Sequence, residues 1–197
     1  TPYIYQGEEL GMTNRKCRDF SDFRDIEIKN AYRDFVGGGI LDEETMLKFV
    51  NAIGRDNARF PMHWDDSDNA GFTTGTPWIS VNENYKKINA AAQVNDPDSI
   101  FSYYKKLIEL RHQMEIIVYG VYKSKAIEHP DVFAYTRTFG EEKLFVVCNF
   151  REQEMDFTLE DGFTGDEKVM ISNYDDVVKT ENGIYLRPYE AKVFYRK

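Results

Sequence analysis

Hydrophobic positions follow two different spacings along this chain, and the change between them falls near residue 115. Before it, apolar residues recur at intervals of three and four, as they do on one face of a helix. After it, apolar and polar residues alternate, as they do in strands with one buried face. The pattern predicts two domains, residues 1–115 with helices and residues 116–197 with strands.

Three helices are predicted in the first part from apolar spacing and from capping residues. Three successive glycines end the first helix, and Asp42 caps the second. The third helix has the clearest pattern, since its apolar residues follow the i, i+3, i+4, i+7 rule. The helices are expected over about residues 25–36, 42–52 and 98–111.

Residues outside these helices give three further expectations. The apolar run 1–5 predicts a strand, although no neighbouring segment could pair with it as a hairpin. Residues 65–97 show little periodicity and predict a long irregular segment. The acidic run 65–69 is interpreted as a turn, because it lacks the glycine and the glutamate of a calcium-binding EF-hand loop.

Strands are predicted throughout the second part, and turn sequences such as Asp161-Gly162 and Asn182-Gly183 separate them. Short strands at this spacing are typical of an antiparallel β-sandwich. The predicted strands are 118–126, 131–138, 143–150, 153–159, 167–172, 183–187 and 191–196.

Composition excludes some classes of binding partner and indicates the cellular compartment. The net charge of −9 argues against nucleic acid and anionic membrane as partners. No apolar run is long enough to span a membrane, and the first residues lack the pattern of a signal peptide. Cys17 and Cys148 are not expected to pair, which favours a reducing cytoplasm. No Cys/His cluster suggests zinc, and neither a metal nor another cofactor is expected.

The densest group of polar and aromatic residues lies in 54–64, with the sequence GRDNARFPMHW. It has neither helical nor strand spacing, and therefore predicts an ordered loop. Such a loop either contributes to a binding site or forms a structural knot of ion pairs, for example between Arg55 and Asp56. The residue types alone leave both interpretations open.

This loop occurs in a fixed order with four other segments: 1–12 (TPYIYQGEELGM), 69–73 (NAGFT), 77–78 (PW) and 99–111 (SIFSYYKKLIELR). Together they resemble the C-terminal part of the oligo-1,6-glucosidase group in the α-amylase family of glycoside hydrolases. The resemblance covers essentially the whole chain. It implies an α/β part, the last strand of a TIM (β/α)8 barrel with the helices that follow, joined to an all-β part, an antiparallel β-sandwich.

The resemblance also implies an activity, that of a retaining, exo-acting α-glucosidase that cleaves α-1,6-linked glucose from short oligosaccharides. Retaining hydrolysis uses two carboxyl groups. The family carries them on earlier barrel strands, so no catalytic residue is assigned in this sequence. Glu8 and Glu9 are not assigned as such a pair, because neighbours on an extended segment point in opposite directions. The chain alone is expected to be inactive and to need the remainder of the barrel as its partner.

Two residues are expected to contact the substrate. The resemblance places Arg55 in the glucose pocket, where its fork of donors suits sugar hydroxyls, and Glu27 beside the neighbouring sugar. The alternatives are a loop salt bridge for Arg55 and an exposed carboxylate in a first helical turn for Glu27. Phe60 and His63 depart from the Thr-Pro-Met-Gln-Trp of many relatives, so acceptor specificity is not carried over.

Other functions stay open at this point. Trehalose-6-phosphate hydrolases, dextran glucosidases and sucrose isomerases share most of these motifs. Non-catalytic relatives, such as the heavy subunits of amino-acid transporters, act as partner proteins. The sandwich could also bind glycan through exposed aromatic residues such as Tyr122, Tyr135 or Tyr174, with core packing as the alternative for each.

Overall fold

The computed structural model describes residues 1–197, which form two compact units, Thr1–Lys105 and Lys106–Lys197. The division falls within a helix. The domain boundary expected between residues 115 and 116 stays a prediction. None of the helices combines the length and the apolar character that a membrane crossing requires.

The helices of the first unit are α1 (Ile26–Ala31), which continues as one π-helical turn (Tyr32–Val36), α2 (Glu43–Ile53), the short α3 (Ala90–Gln93) and α4 (Ile100–Gln113), which runs into the second unit. Helix α2 begins directly after Asp42, the capping residue predicted for it. The Asp25 carboxylate accepts from Glu27 N, and the Asp42 carboxylate accepts from Thr45 N, so each caps its helix. Gly39, with a φ of 71°, lies in the glycine turn after the first helix. The three predicted helices are confirmed.

A small apolar core holds α1 against α2. Its buried members are Cys17, Phe23, Ile28, Met46 and Val50. Met46 and Val50 are one helical turn apart, as the apolar spacing of this helix predicts. The core therefore packs α1 against α2 within one unit, and the loop that follows α2 starts from this position.

Residues 1–5, expected as the last strand of a barrel, are not in a strand within this chain. A strand needs hydrogen-bond partners along its edges, and no segment of this chain pairs with these residues. The backbone N–H of Tyr5 instead donates to Glu8 Oε2 at 3.0 Å, and Glu8–Leu10 forms a single 3₁₀ turn. Residues 65–97 are irregular as predicted, with isolated helical turns, and Asp65 accepts from Ser67 N in the turn expected there.

The second unit is an antiparallel β-sandwich, as predicted. One sheet has the order β1-β2-β3-β8-β5 and the other the order β4-β7-β6. All the strand pairs are antiparallel. The strands are β1 (Val121–Lys125), β2 (Val132–Phe139), β3 (Glu142–Asn149), β4 (Met155–Thr158), β5 (Lys168–Ser172), β6 (Val178–Thr180), β7 (Gly183–Leu186) and β8 (Ala191–Arg196).

The inner faces of both sheets share one apolar core. In β2, for example, the buried residues Val132, Ala134 and Thr136 alternate with more exposed neighbours, which is the pattern of a half-buried strand. The cluster contains Val132, Ala134, Phe145, Val147, Phe157, Leu159, Phe163, Ile184, Leu186 and Phe194. Four phenylalanines contribute to it, and large aromatic side chains supply much apolar burial per residue.

Two elements of this unit were not predicted. Helix α5 (Glu115–Tyr119) occupies residues where the strand 118–126 was expected to begin. Its apolar run does not alternate, so both interpretations were possible; Gly120 ends the helix and the strand starts at Val121. Strand β6 has only three residues and pairs with β7, and three residues are too few to show a period.

A buried ion network joins β8 to the loops beside it. Glu190 and Lys192 are both fully buried, and Lys192 Nζ lies 2.6 Å from Glu190 Oε1. Arg187 donates to the same carboxylate through Nε and Nη2, at 3.0 Å each. Lys192 also donates to Ser172 Oγ and to the Asp176 carbonyl oxygen. Every charged group is thus paired, as burial of charge requires.

Candidate functional site

The loop after α2 begins with a 3₁₀ turn, Arg55–Ala58, launched by Gly54. Residues 54–64 show no helical or strand spacing, so the sequence predicted an ordered loop there and not this helical turn. The turn brings Arg55 to the N-terminal end of α1, because the core of the first unit packs α1 against α2. Residues 25–27 and residue 55 therefore meet, although about thirty positions separate them in the sequence.

Arg55 and Glu27, the two residues expected to contact substrate, are directly paired. Arg55 Nη2 lies 2.8 Å from Glu27 Oε1. The guanidinium also donates to the buried Asp25 carboxylate. Arg55 Nε lies 2.9 Å from Asp25 Oδ2, and Arg55 Nη2 lies 3.2 Å from Asp25 Oδ1. The side chains of Arg55 and Glu27 are 54% and 70% exposed, whereas that of Asp25 is 2% exposed. The two exposed charges are accessible to a ligand, and the buried one is not.

The ion pair between Arg55 and Asp56, considered from the sequence, is not formed. Asp56 is buried and binds Arg59 instead, with Nη1 3.2 Å from Oδ1. Its other oxygen accepts from the backbone N–H groups of Arg24 and Asp25, at 2.6 and 3.0 Å. Asp56 and Arg59 thus hold the loop to the segment before α1.

Charge complementarity strengthens this cluster. The hydrogen bonds from Arg55 lower the pKa of Asp25 below its usual range, against the opposing effect of burial. The same carboxylate raises the pKa of Arg55 further. Asp25 is therefore ionised at neutral pH, and the bidentate contact is the charge-assisted form that fixes the plane of a guanidinium.

A cavity of about 460 Å³ opens beside the cluster. Its walls come from the N-terminal segment, including Tyr5 and Glu8, and from the loop, including Arg55, Phe60 and Met62. The Tyr5 hydroxyl donates to the Ala58 carbonyl oxygen at 2.7 Å and ties the two walls together. A second cavity of about 310 Å³, with an apolar lining, is bordered by Glu27 and again by Arg55. Arg55 therefore lies where the two cavities meet.

The order and spacing of these segments match known proteins over the whole chain. The α-amylase catalytic domain model matches residues 1–120, and the model of the α-amylase SusG C-terminal domain matches residues 132–193. The chain belongs to the α-amylase family.

Curated α-amylase family relatives are similar over nearly the full chain. An oligo-1,6-glucosidase of Parageobacillus thermoglucosidasius is 51% identical over 196 residues, which are 98% of this chain and 35% of that protein. A trehalose-6-phosphate hydrolase of Bacillus subtilis is 45% identical over 98% of this chain and 35% of its own length. The chain thus spans about a third of the length of the relatives it matches.

Solved structures of the family agree with the fold. A trehalose-6-phosphate hydrolase of Bacillus licheniformis is 45% identical with a TM-score of 0.91, over 99% of this chain and 36% of that one. An isomaltulose synthase of Erwinia rhapontici is 43% identical, also with a TM-score of 0.91, over 99% of this chain and 35% of that one. The chain therefore combines part of the (β/α)8 catalytic domain of the α-amylase family with its antiparallel C-terminal domain.

Glu8 and Glu9 lie in a helical turn and not on the extended segment expected from the sequence. That they are not the carboxyl pair of a family glycosidase stays a prediction. Each carboxylate has separate partners. Glu8 accepts from Tyr5 N and from the Tyr104 hydroxyl, while Glu9 accepts from Gly7 N. The hydrogen bonds from Tyr5 and Tyr104 lower the pKa of Glu8, and burial together with Glu8 raises that of Tyr104 to about 12. Glu8 is thus ionised, and its hydrogen bonds stabilise the turn at residues 8–10.

The two departures from the family pattern occupy different places. Phe60 is buried and lines the large cavity, and the Arg15 guanidinium lies 5.5 Å from its ring centroid. His63 is fully buried; its Nδ1 is 2.8 Å from the Ile88 carbonyl oxygen, and its Nε2 has no partner. Burial lowers the pKa of His63, so the ring is neutral and Nδ1–H donates. Phe60 faces the site, and His63 supports the loop behind it.

The aromatic residues named as a possible glycan platform do not form one surface. Tyr122 and Tyr135 pack at 5.1 Å between ring centroids, with their planes tilted by 35°. Tyr174 lies in the buried ion network, where the Arg187 guanidinium covers its ring at 4.0 Å. Tyr174 is therefore occupied by an intramolecular cation–π contact.

Asp25 is the residue that sequence reasoning did not assign to the site. The sequence identified it only as the start of a helix, and its position before a periodic run is fully explained by capping. Its contact with Arg55 depends on the packing of α1 against α2, which no local pattern encodes.

Proposed function

We propose that this chain is part of a retaining, exo-acting α-glucosidase that hydrolyses α-1,6-glucosidic bonds of isomalto-oligosaccharides. The observation that carries the proposal is the Arg55–Glu27 pair, in which Arg55 borders both cavities and Glu27 borders the second, in a chain 51% identical to an oligo-1,6-glucosidase. A protein of the relatives' length that contains this chain is called the whole enzyme below.

In this proposal Arg55 binds a hydroxyl of the glucose in the cleavage pocket, and Glu27 contacts the neighbouring sugar. Both side chains are exposed, and both border a cavity. A guanidinium offers donors and a carboxylate offers acceptors, so the pair can bind both kinds of group on a sugar hydroxyl. The ion pair between them keeps each side chain ordered before substrate arrives, which reduces the entropic cost of binding.

The chemistry itself requires groups that this chain is not proposed to supply. Retention needs a nucleophilic carboxylate and a carboxylic acid about 5–5.5 Å apart. The proposal assigns both to barrel strands in the remainder of the barrel, which is the partner of this chain within the whole enzyme. The role of the chain is to bind and orient the sugar. The proposed reaction uses no cofactor. The proposed location is the cytoplasm, and the two free cysteines support it.

Comparison of substrates tests the proposed activity. The whole enzyme is expected to release glucose from isomaltose with a higher kcat/KM than from trehalose 6-phosphate, and to form no isomaltulose from sucrose. Preference for trehalose 6-phosphate would favour the function of the 45%-identical relative, a trehalose-6-phosphate hydrolase. Formation of isomaltulose would favour that of the 43%-identical structure. No reaction with any of them would favour a non-catalytic partner protein.

The 197-residue chain alone is expected to show no glycosidase activity, because both catalytic carboxylates are assigned elsewhere. The assay is release of p-nitrophenol from p-nitrophenyl α-glucoside, and of glucose from isomaltose, with the whole enzyme as the positive control. Turnover by the chain that a single carboxylate substitution within it abolishes would contradict the assignment.

A further inference from the structure

The buried carboxylate of Asp25 is connected to both residues of the proposed substrate contact. Its Oδ1 accepts from the Glu27 backbone N–H at 2.9 Å and from Arg55 Nη2 at 3.2 Å. Its Oδ2 accepts from Arg55 Nε at 2.9 Å, with Arg59 Nη1 at 3.5 Å. Both oxygens are thus in use, and the side chain is too deeply buried to reach a ligand.

These contacts determine which part of Arg55 remains available. Asp25 engages Nε and Nη2, the two nitrogens on one side of the guanidinium. Glu27 shares Nη2. Neither carboxylate contacts Nη1, and Arg55 lines the cavity of about 460 Å³. A bidentate contact fixes the plane of the guanidinium, and a fixed plane holds the Nη1 donors in one direction.

We infer that Asp25 is a positioning residue, which acts on the substrate through Arg55 by holding the guanidinium so that Nη1 is presented to a sugar hydroxyl. The inference rests on the proposed function and adds a residue to it. The same carboxylate caps α1 at Glu27, so one buried group sets the direction of the arginine and the start of the helix that carries the glutamate.

A structural role alone would also explain why Asp25 is buried, and a double-mutant cycle separates the two roles. If Asp25 acts through Arg55, its substitution lowers kcat/KM only while Arg55 is present. If it merely stabilises the loop, its effect on kcat/KM persists when Arg55 is removed. Asp25→Asn is the suitable change, because the amide keeps one oxygen for the helix cap but loses the charge and the second acceptor.

The experiment measures kcat/KM of the whole enzyme for p-nitrophenyl α-glucoside, well below the melting temperature of each variant. Asp25→Asn is expected to lower kcat/KM about tenfold in the native background, and to leave it unchanged in the Arg55→Ala background. Asp42→Asn is the matched control, since Asp42 caps α2 in the same way without contacting an arginine. It is expected to leave kcat/KM unchanged.

An equal loss in both backgrounds would overturn the inference, and so would no loss in either. If Asp25→Asn does not fold, Asp25→Ser serves in the same cycle, because serine also caps helices but cannot hold the guanidinium. If the unsubstituted enzyme turns over normally but the effects of Asp25→Asn and Arg55→Ala on kcat/KM are additive, only the role of Asp25 is rejected. Absence of turnover by the unsubstituted enzyme rejects the proposed function, and this inference with it.

Discussion

Arg55→Ala in the whole enzyme is expected to lower kcat/KM by about one to two orders of magnitude, since a charge-assisted hydrogen bond to substrate is lost. Arg55→Lys is expected to recover little of the activity. An ammonium group cannot occupy the Asp25 carboxylate with two parallel bonds and still present a third donor to the sugar. Steady-state kinetics with isomaltose measures both changes.

Arg59→Ala is the matched control for this prediction. Arg59 lies in the same loop and also approaches Asp25, at 3.5 Å, but its nearest bond is to Asp56, at 3.2 Å. Its substitution is expected to lower the melting temperature and to change kcat/KM much less than Arg55→Ala does. If Arg55→Ala instead lowers the melting temperature and leaves the kinetics of the folded enzyme normal, the loop is a structural knot and no part of the binding site.

The second large effect is expected at Glu190 in the C-terminal sandwich. Glu190→Ala leaves the fully buried Lys192 without its carboxylate partner. Removal of one member of a buried ion pair costs about 3–5 kcal/mol, which is a large fraction of the roughly 5–15 kcal/mol by which domains are commonly stable. Hydrogen exchange of the β3 and β8 amides in the whole enzyme measures the change, because their slowest exchange reports the stability of the unit.

Asp166→Ala provides the matched control in the same unit. It removes an exposed ion pair, in which Lys179 Nζ lies 2.6 Å from Asp166 Oδ1. Exposed pairs contribute little, so exchange of the same amides should stay nearly unchanged. Equal exchange rates for the Glu190 and Asp166 variants would show that the buried network does not stabilise the sandwich.

The same network predicts the direction of a pH effect. Burial acts to raise the pKa of Glu190, but the hydrogen bonds from Arg187 and Lys192 outweigh it, and the net pKa is lowered. A lowered pKa in the folded state means that the stabilisation is present above the unfolded value of about 4.3. It is lost as the pH falls through the folded-state pKa. The sandwich of the Glu190→Ala variant should therefore show a weaker dependence of stability on acid pH.

Much of the fold follows from local sequence patterns. Helix α2 and strand β2 have clear periods, and their capping and turn residues agree with those periods. Local patterns are less informative where an element depends on pairing with another segment or is too short to show a period. Residues 1–5 have a strand-like composition but no partner in this chain, and the apolar run in α5 has no period that separates a helix from a strand.

The site was predictable in part for a related reason. The family resemblance named Arg55 and Glu27, and the structure places them in direct contact. Asp25 could not be assigned in this way, since helix capping already explained it. The fully buried state of His63 was likewise hidden, because no local pattern shows that the Ile88 carbonyl oxygen is its partner. Contacts between distant segments come from packing and not from local sequence.

The most direct test of the account is a crystal structure of the whole enzyme, with its nucleophile replaced, in complex with isomaltose. The account predicts that Arg55 Nη1 lies within about 3.2 Å of a hydroxyl of the glucose in the cleavage pocket, while Nε and Nη2 stay on Asp25. An isomaltose molecule bound in the pocket with all three guanidinium nitrogens of Arg55 beyond hydrogen-bond distance would contradict it.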